Sequence, residues 1–248
     1  MLKTLNKTVF DNISKIGVFR QHYDNTIEIL ETSNQPEDLQ KVIIVNIPNN
    51  VWIFENEFGQ LKHYVLEDGN IKDKGNALMF AGNKVEKTIL LKSDDSLYLF
   101  MIELKTTLTR KNIRELKDKF EQSLISISIY LASNPIFNNF DIENLFPVGV
   151  CMFNNNYQED SYINPKSLES EIWRKFNDNC ISKNKYNYLI DIKPITLKPY
   201  KIPVIFRQNE DIKNNTNINS SMFSVNFLDL LQIAENEQNN ADVIQKTY

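Results

Sequence analysis

Two strand-like stretches, residues 84–92 (KVEKTILLK) and 97–105 (LYLFMIELK), flank Ser93-Asp94-Asp95-Ser96, and a long helical pattern follows them directly. In that pattern Ile113, Leu116, Phe120, Leu124, Ile127 and Leu131 recur at spacings of three, four, four, three and four, one face of a 3.6-residue period. Thr109 is suited to cap the start, and Asn134-Pro135 ends the helix, because the residue before proline is pushed out of the α region. Residues 145–153 (LFPVGVCMF) then read as a buried strand with an irregular start at Pro147. A hairpin, a long amphipathic helix and a returning strand constrain the chain strongly. The return is expected to be parallel, through a right-handed crossover.

The chain is 248 residues long, 42% hydrophobic and 24% charged, which predicts one domain with additions rather than a disordered polymer. No run approaches the roughly 18 apolar residues of a membrane helix, and the polar start MLKTLNKTVFDNISK does not read as a secretory signal. A soluble, cytoplasmic protein is the expectation. Cys151 and Cys180 are too few for a disulfide framework, and His22 and His63 too few for a histidine-rich metal site. The histidines also lack a Ser or Cys partner motif, so nucleophilic hydrolase chemistry has no support. With six glycines and neither GxGxxG nor GxxxxGK[ST], a phosphate-cradling loop is not expected. The net charge of −4 argues against coating nucleic acid, yet leaves room for a local basic groove.

Elsewhere, Ile27, Leu30 and their neighbours suggest a short helix. Strands are expected at 41–47, 51–54 and 61–66, the last continuing a meander closed by Asp68-Gly69. Asn164-Pro165 opens a second helix with Leu168, Ile172, Trp173 and Phe176 on its apolar face. Strands follow at 186–192 and 202–207, an Asn-rich loop at 209–221, a helix at 225–234 and a frayed tail from Glu235.

The hairpin carries the chemistry. If the connection at 93–96 is symmetric, Lys92 faces Leu97, Leu90 faces Leu99, Thr88 faces Met101 and Glu86 faces Glu103. Side chains alternate along a strand, so Glu86, Glu103 and Lys105 share one face near one end. Like charges directly opposite repel, and a carboxylate pair removed from water takes up a proton or a cation. Two carboxylates with a neighbouring lysine suit Mg²⁺ (or Mn²⁺), which keeps waters for a substrate phosphate while the lysine holds or polarises the nucleophile. Phosphodiester hydrolysis is the chemistry this set predicts. Asp94 and Asp95 are rival acids, but at strand rise they lie roughly 25 Å from Glu103.

The strand ending Glu103-Leu104-Lys105 resembles the (D/E)xK strand of the PD-(D/E)XK nuclease superfamily, and the element order over about residues 25–155 is similar to that family's αβββαβ core. The resemblance implies an α/β fold with a restriction-endonuclease-like core: a mixed central sheet flanked by helices over 1–155, and a C-terminal α+β extension, 156–248, packed on the same domain. It implies metal-dependent cleavage of nucleic acid, DNA in preference to RNA, in restriction, phage defence or repair. Glu86 and Glu103 would bind the metal, the Leu104 carbonyl would be a further ligand, and Lys105 would position the attacking water. The family's first acid is usually an aspartate, often after proline, whereas the matching position here is Glu86. In some members of the family a further metal-binding glutamate comes from the first helix, for which Glu28 is the candidate, and some branches place a polar residue on the following helix, for which Gln122 is.

Each reading has a plainer rival. Glu115-Leu116-Lys117 repeats the tripeptide inside the helix, where residues two apart diverge by about 200°. Arg110, Lys111, Arg114, Lys117 and Lys119 crowd the helix start, as phosphate-backbone contacts or as a solvated face balanced by Glu115, Asp118 and Glu121. Trp52, Trp173 and the tyrosines stack on bases or, as the stronger expectation, pack in the core. Cys151 is expected to be an inert core thiol. The alternative function is a catalytically inactive nuclease-like module that binds nucleic acid or a protein partner, and a homodimer is compatible with either.

Overall fold

The computed structural model describes residues 19–30, 39, 41–54, 61–67, 70–78, 85–93, 96–133, 145–155, 187–192, 200–209 and 222–245. The fold is mixed α/β and strand-rich. Its strands are β1 (Phe19–His22), β2 (Thr26–Leu30), β3 (Lys41–Val45), β4 (Val51–Phe54), β5 (Leu61–Glu67), β6 (Asn70–Leu78), β7 (Lys87–Ser93) and β8 (Ser96–Thr107). After helix α1 (Arg110–Ser133) come β9 (Leu145–Asn155), β10 (Asn187–Ile192), β11 (Tyr200–Gln208), β12 (Met222–Asn226) and helix α2 (Phe227–Gln245).

Seven strands form the main sheet in the order β1-β4-β7-β8-β9-β11-β10. β4, β7 and β8 run antiparallel in turn, and β9 lies parallel to β8 after the α1 crossover. β11 continues parallel to β9, and β10 closes that edge antiparallel. A three-stranded sheet, β12-β3-β2, and the separate β5-β6 pair complete the strands.

The central hairpin has the register expected of a symmetric connection. Lys92 pairs with Leu97, Leu90 with Leu99 and Thr88 with Met101, and the ladder reaches Lys87–Ile102. Thr109 caps α1 as its sequence position predicts: its hydroxyl accepts the Asn112 N–H at 3.2 Å and its carbonyl the Ile113 N–H at 3.0 Å.

Each face of the main sheet has its own cover. On one, Ile113, Leu116, Phe120, Leu124 and Ile127 of α1 are buried. The approach is closest at Gly149, where a Cβ would lie 2.8 Å from Phe120 Cε2 and 3.0 Å from Val204 Cγ2. Hydrogen alone at that position lets the Phe120 ring rest on the backbone of β9. On the other face Tyr98, Phe100, Ile102 and Leu104 join a cluster with Ile29, Ile44, Phe227 and Leu230. Phe100 and Phe227 meet edge to face with ring centres 5.0 Å apart. The three-stranded sheet and α2 thus form the opposing layer.

Several sequence expectations are corrected. The segment around Ile27 and Leu30 is not a helix but β2, where Ile27 and Ile29 are buried and their neighbours exposed, a period of two. The helix expected at 225–234 is present but starts two residues later, at Phe227, because Val225 and Asn226 end β12, paired parallel with β3. The chain from Glu235 is not frayed but continues α2 to Gln245. Tyr98 Oη and Gln238 Oε1 lie 2.5 Å apart, tying that part of α2 to β8. β5 pairs with β6, an element its lysines and glycine concealed, rather than extending a meander from β4. The expected helix after Asn164-Pro165, the Asp94-Asp95 tip and Trp173 lie outside the described residues.

Candidate active site

Glu103, Lys105 and the segment before β7 converge near the C-terminal end of β8, beneath α1. β8 is apolar on both faces until Glu103, which interrupts the run on the α1 side. Its register partner in β9 is Cys151, and the partner of Cys151 in β11 is Phe206. Glu103 is fully buried. A buried carboxylate demands charged partners, and it has two. Lys105 Nζ, two residues along the same face, lies 2.7 Å from Glu103 Oε1. Lys119 Nζ, descending from α1, contacts the same oxygen. Glu103 Oε2 is buried and has no hydrogen-bond partner among the described residues.

Glu86 stands one residue before β7, in the position that continues the hairpin register to Glu103. Its approach is fixed from above: the Val85 N–H donates to the Ser123 hydroxyl of α1 at 3.1 Å, a fully buried contact. Lys119 Nζ lies 3.8 Å from Glu86 Oε1, so one ammonium touches both acids. Burial pushes the Glu86 carboxyl above its usual range and the Glu103 charge pushes it further, outweighing Lys119 and Lys105. Burial likewise raises the Cys151 thiol, with the Glu103 charge adding to it. Cys151 is therefore held as a neutral thiol beside the site, consistent with an inert core residue.

The structure brings Glu86, Glu103 and Lys105 together, with Leu104 between the last two. The Leu104 side chain points the other way, into the opposite core, so only its main chain is on offer. Glu28 is not part of the site. It lies exposed on β2 and pairs with Lys41 at 2.6 Å. Gln122 is exposed on α1, because at about 100° per residue it falls opposite the buried stripe. Lys111 is exposed and pairs with Glu115 at 3.7 Å, and Lys117 is partly exposed. The Arg110 and Arg114 side chains lie outside the described residues.

Sequence reasoning counted Lys119 only among the cations of the helix start and did not single out Ser123. Lys119 belongs to the inward flank of α1, not to a solvated face. A signal existed: three residues after Leu116 and after Phe120, respectively, they fall at the edge of the apolar arc.

A cavity of about 370 Å³ opens away from this cluster, where the ends of β3, β11 and β12 meet the start of α2, lined by Val45, Arg207, Asn209, Asn226 and Asp229 among others. Arg207 pairs in register with Met152, and Met152 with Leu104, which puts it on the sheet face away from Glu103.

Among the described residues no cluster of three or more His, Cys, Asp or Glu side chains is arranged to hold a metal ion, and no helix is long and apolar enough to cross a membrane. In comparisons with protein-family models, curated proteins and solved structures, no match to this chain was found.

Proposed function

We propose that this chain is a metal-dependent phosphodiesterase acting on nucleic acid, DNA in preference to RNA, with a core of the PD-(D/E)XK kind. The observation that carries the reading is the fully buried Glu103 beside Lys105 on one strand, with Glu86 brought to the same ammonium, Lys119. The strand sequence β4-β7-β8, the α1 crossover and the parallel β9 support it, being the order expected for that core. The preference for DNA and a role in restriction, phage defence or repair rest on family analogy alone.

The donor set fits a divalent cation in two respects. Among the described residues Glu103 retains a buried oxygen that lacks a hydrogen bond, and the two acids already share a single positive group. Glu86 and Glu103 would hold Mg²⁺ or Mn²⁺, with the Leu104 carbonyl as the further ligand the resemblance implies. Such an ion, when bound, screens the phosphate charge and lowers the pKa of a coordinated water. Lys105 is held by Glu103 at 2.7 Å and would orient a water or a phosphate oxygen. Lys111 and Lys117, with Arg110 and Arg114, would contact the nucleic-acid backbone from the first turns of α1.

The test is cleavage of duplex DNA, single-stranded DNA and RNA by purified protein with Mg²⁺ or Mn²⁺. Wild type should cut, and Glu103→Ala and Lys105→Ala should not. Cleavage that survives both substitutions overturns the assignment. A second reading, a nuclease-like module without catalysis, is favoured by Lys105 and Lys119 together already balancing the charge of the two acids. Salt-sensitive nucleic-acid binding without cleavage under any metal would select it.

A further inference from the structure

We propose that Lys119 is a built-in counter-ion for Glu86 and Glu103, and that a divalent cation enters the site only by displacing it; the proposal rests on the metal-site reading above. Lys105 and Lys119 both serve Oε1 of Glu103, while Oε2 is buried and lacks a hydrogen bond among the described residues. Lys119 also reaches Glu86 at 3.8 Å. Its ammonium therefore occupies the space between the two acids that an ion bridging them requires.

Formal charge makes the two cations exclusive. Two carboxylates and two ammoniums leave the cluster neutral. A divalent ion added to that set would raise it to plus two in a largely buried space, where unbalanced charge is costly. Expelling Lys119 lowers the total to plus one, and a single phosphodiester brings it back to zero. Removal of the lysine is thus matched to arrival of one backbone phosphate.

The side chain is placed to leave. Lys119 lies on the flank of the buried stripe with 15% of its side chain exposed, on a flexible four-carbon stem. Rotation of that stem carries the ammonium to solvent without moving α1. Phe120 next to it, and Ser123 one turn on, keep the helix in place through Gly149 and Val85.

The experiment is titration of the full chain with Mn²⁺ alone, following the free ion by electron paramagnetic resonance, in wild type and Lys119→Met. The substitution should tighten binding by about tenfold or more, and Glu103→Gln added to it should abolish binding. Binding by Lys119→Met where wild type shows none also supports the proposal. Equal or weaker binding by the variant overturns the counter-ion and leaves the metal-site reading standing. Absence of binding in both proteins overturns the two together. Should Lys119→Met not fold, acetylation of wild type with and without Mn²⁺ decides the matter. The ion should raise the rate at Lys119 severalfold relative to Lys41, and an unchanged ratio overturns the proposal.

Discussion

The ammonium of Lys119, on the third turn of α1, contacts the buried carboxylate of Glu103 on β8, joining the helix to the middle of the main sheet through opposite charges. Neither partner is well solvated, so removing one leaves the other exposed to the desolvation cost that the pair offsets. Glu103→Gln and Lys119→Met should each destabilise the fold, and the double variant should lose less than the two losses combined. A coupling of about 0.5–3 kcal/mol is expected from urea unfolding of all four proteins. Simple additivity would mean that the contact contributes nothing specific.

Glu86 makes stability pH-dependent in a predictable sense. Its carboxyl is raised above 4.5, chiefly by burial and then by the Glu103 charge. The folded state therefore holds the proton more tightly than the unfolded chain, and the Glu86 contribution declines as pH rises from about 4.5 through the raised value. Glu86→Gln should melt above wild type at pH 7.5, with the advantage shrinking toward zero at pH 4. Thermal melts across that range check it, and a Glu86→Gln variant less stable at neutral pH would show the charge to be favoured there.

Gly149 sets how closely α1 approaches β9. Gly149→Ala places a methyl 2.8 Å from the Phe120 ring, and the neighbouring Val204 methyl at 3.0 Å limits escape. Overpacking of this kind costs about 1–3 kcal/mol. Because Phe120 adjoins Lys119, the same change should weaken the Lys119–Glu103 coupling in a double-mutant cycle.

Thr109 caps α1 through its hydroxyl and the Asn112 N–H. Thr109→Ala should cost about 1 kcal/mol in chemical denaturation, whereas Thr109→Ser should be nearly neutral.

Much of this arrangement was legible before any coordinates. The hairpin register follows from alternation and a symmetric connection, and the bounds of α1 from its stripe, Thr109 and Asn134-Pro135. β2 was misread because Ile27 and Leu30 fit a helical spacing as well as Ile27 and Ile29 fit a strand. The choice between them is made by pairing with β3, which is distant information for a short segment. β12 was hidden for a related reason: it pairs with residues about 180 positions earlier in the chain. Lys119 was read with the other helix-start cations as a phosphate-backbone contact or part of a solvated face. Its position at the border of the stripe was the better guide, since a long cationic side chain can follow its stem inward when a buried acid awaits it. That Glu86 and Glu103 share one face was legible because strand alternation is strict, and the inward turn of Lys119 was not because a helix flank follows no such rule.

Mn²⁺-dependent cleavage of labelled duplex DNA by wild type, Glu86→Gln, Glu103→Gln and Lys105→Ala, with each variant confirmed as folded, tests the metal site most directly. Wild type should cleave, and each substitution should slow cleavage at least about a hundredfold, the scale of a lost charged group acting on the reacting atoms. Cleavage that continues at the wild-type rate in folded Glu103→Gln, or folded wild type that binds DNA yet never cleaves it, would contradict the metal-site reading.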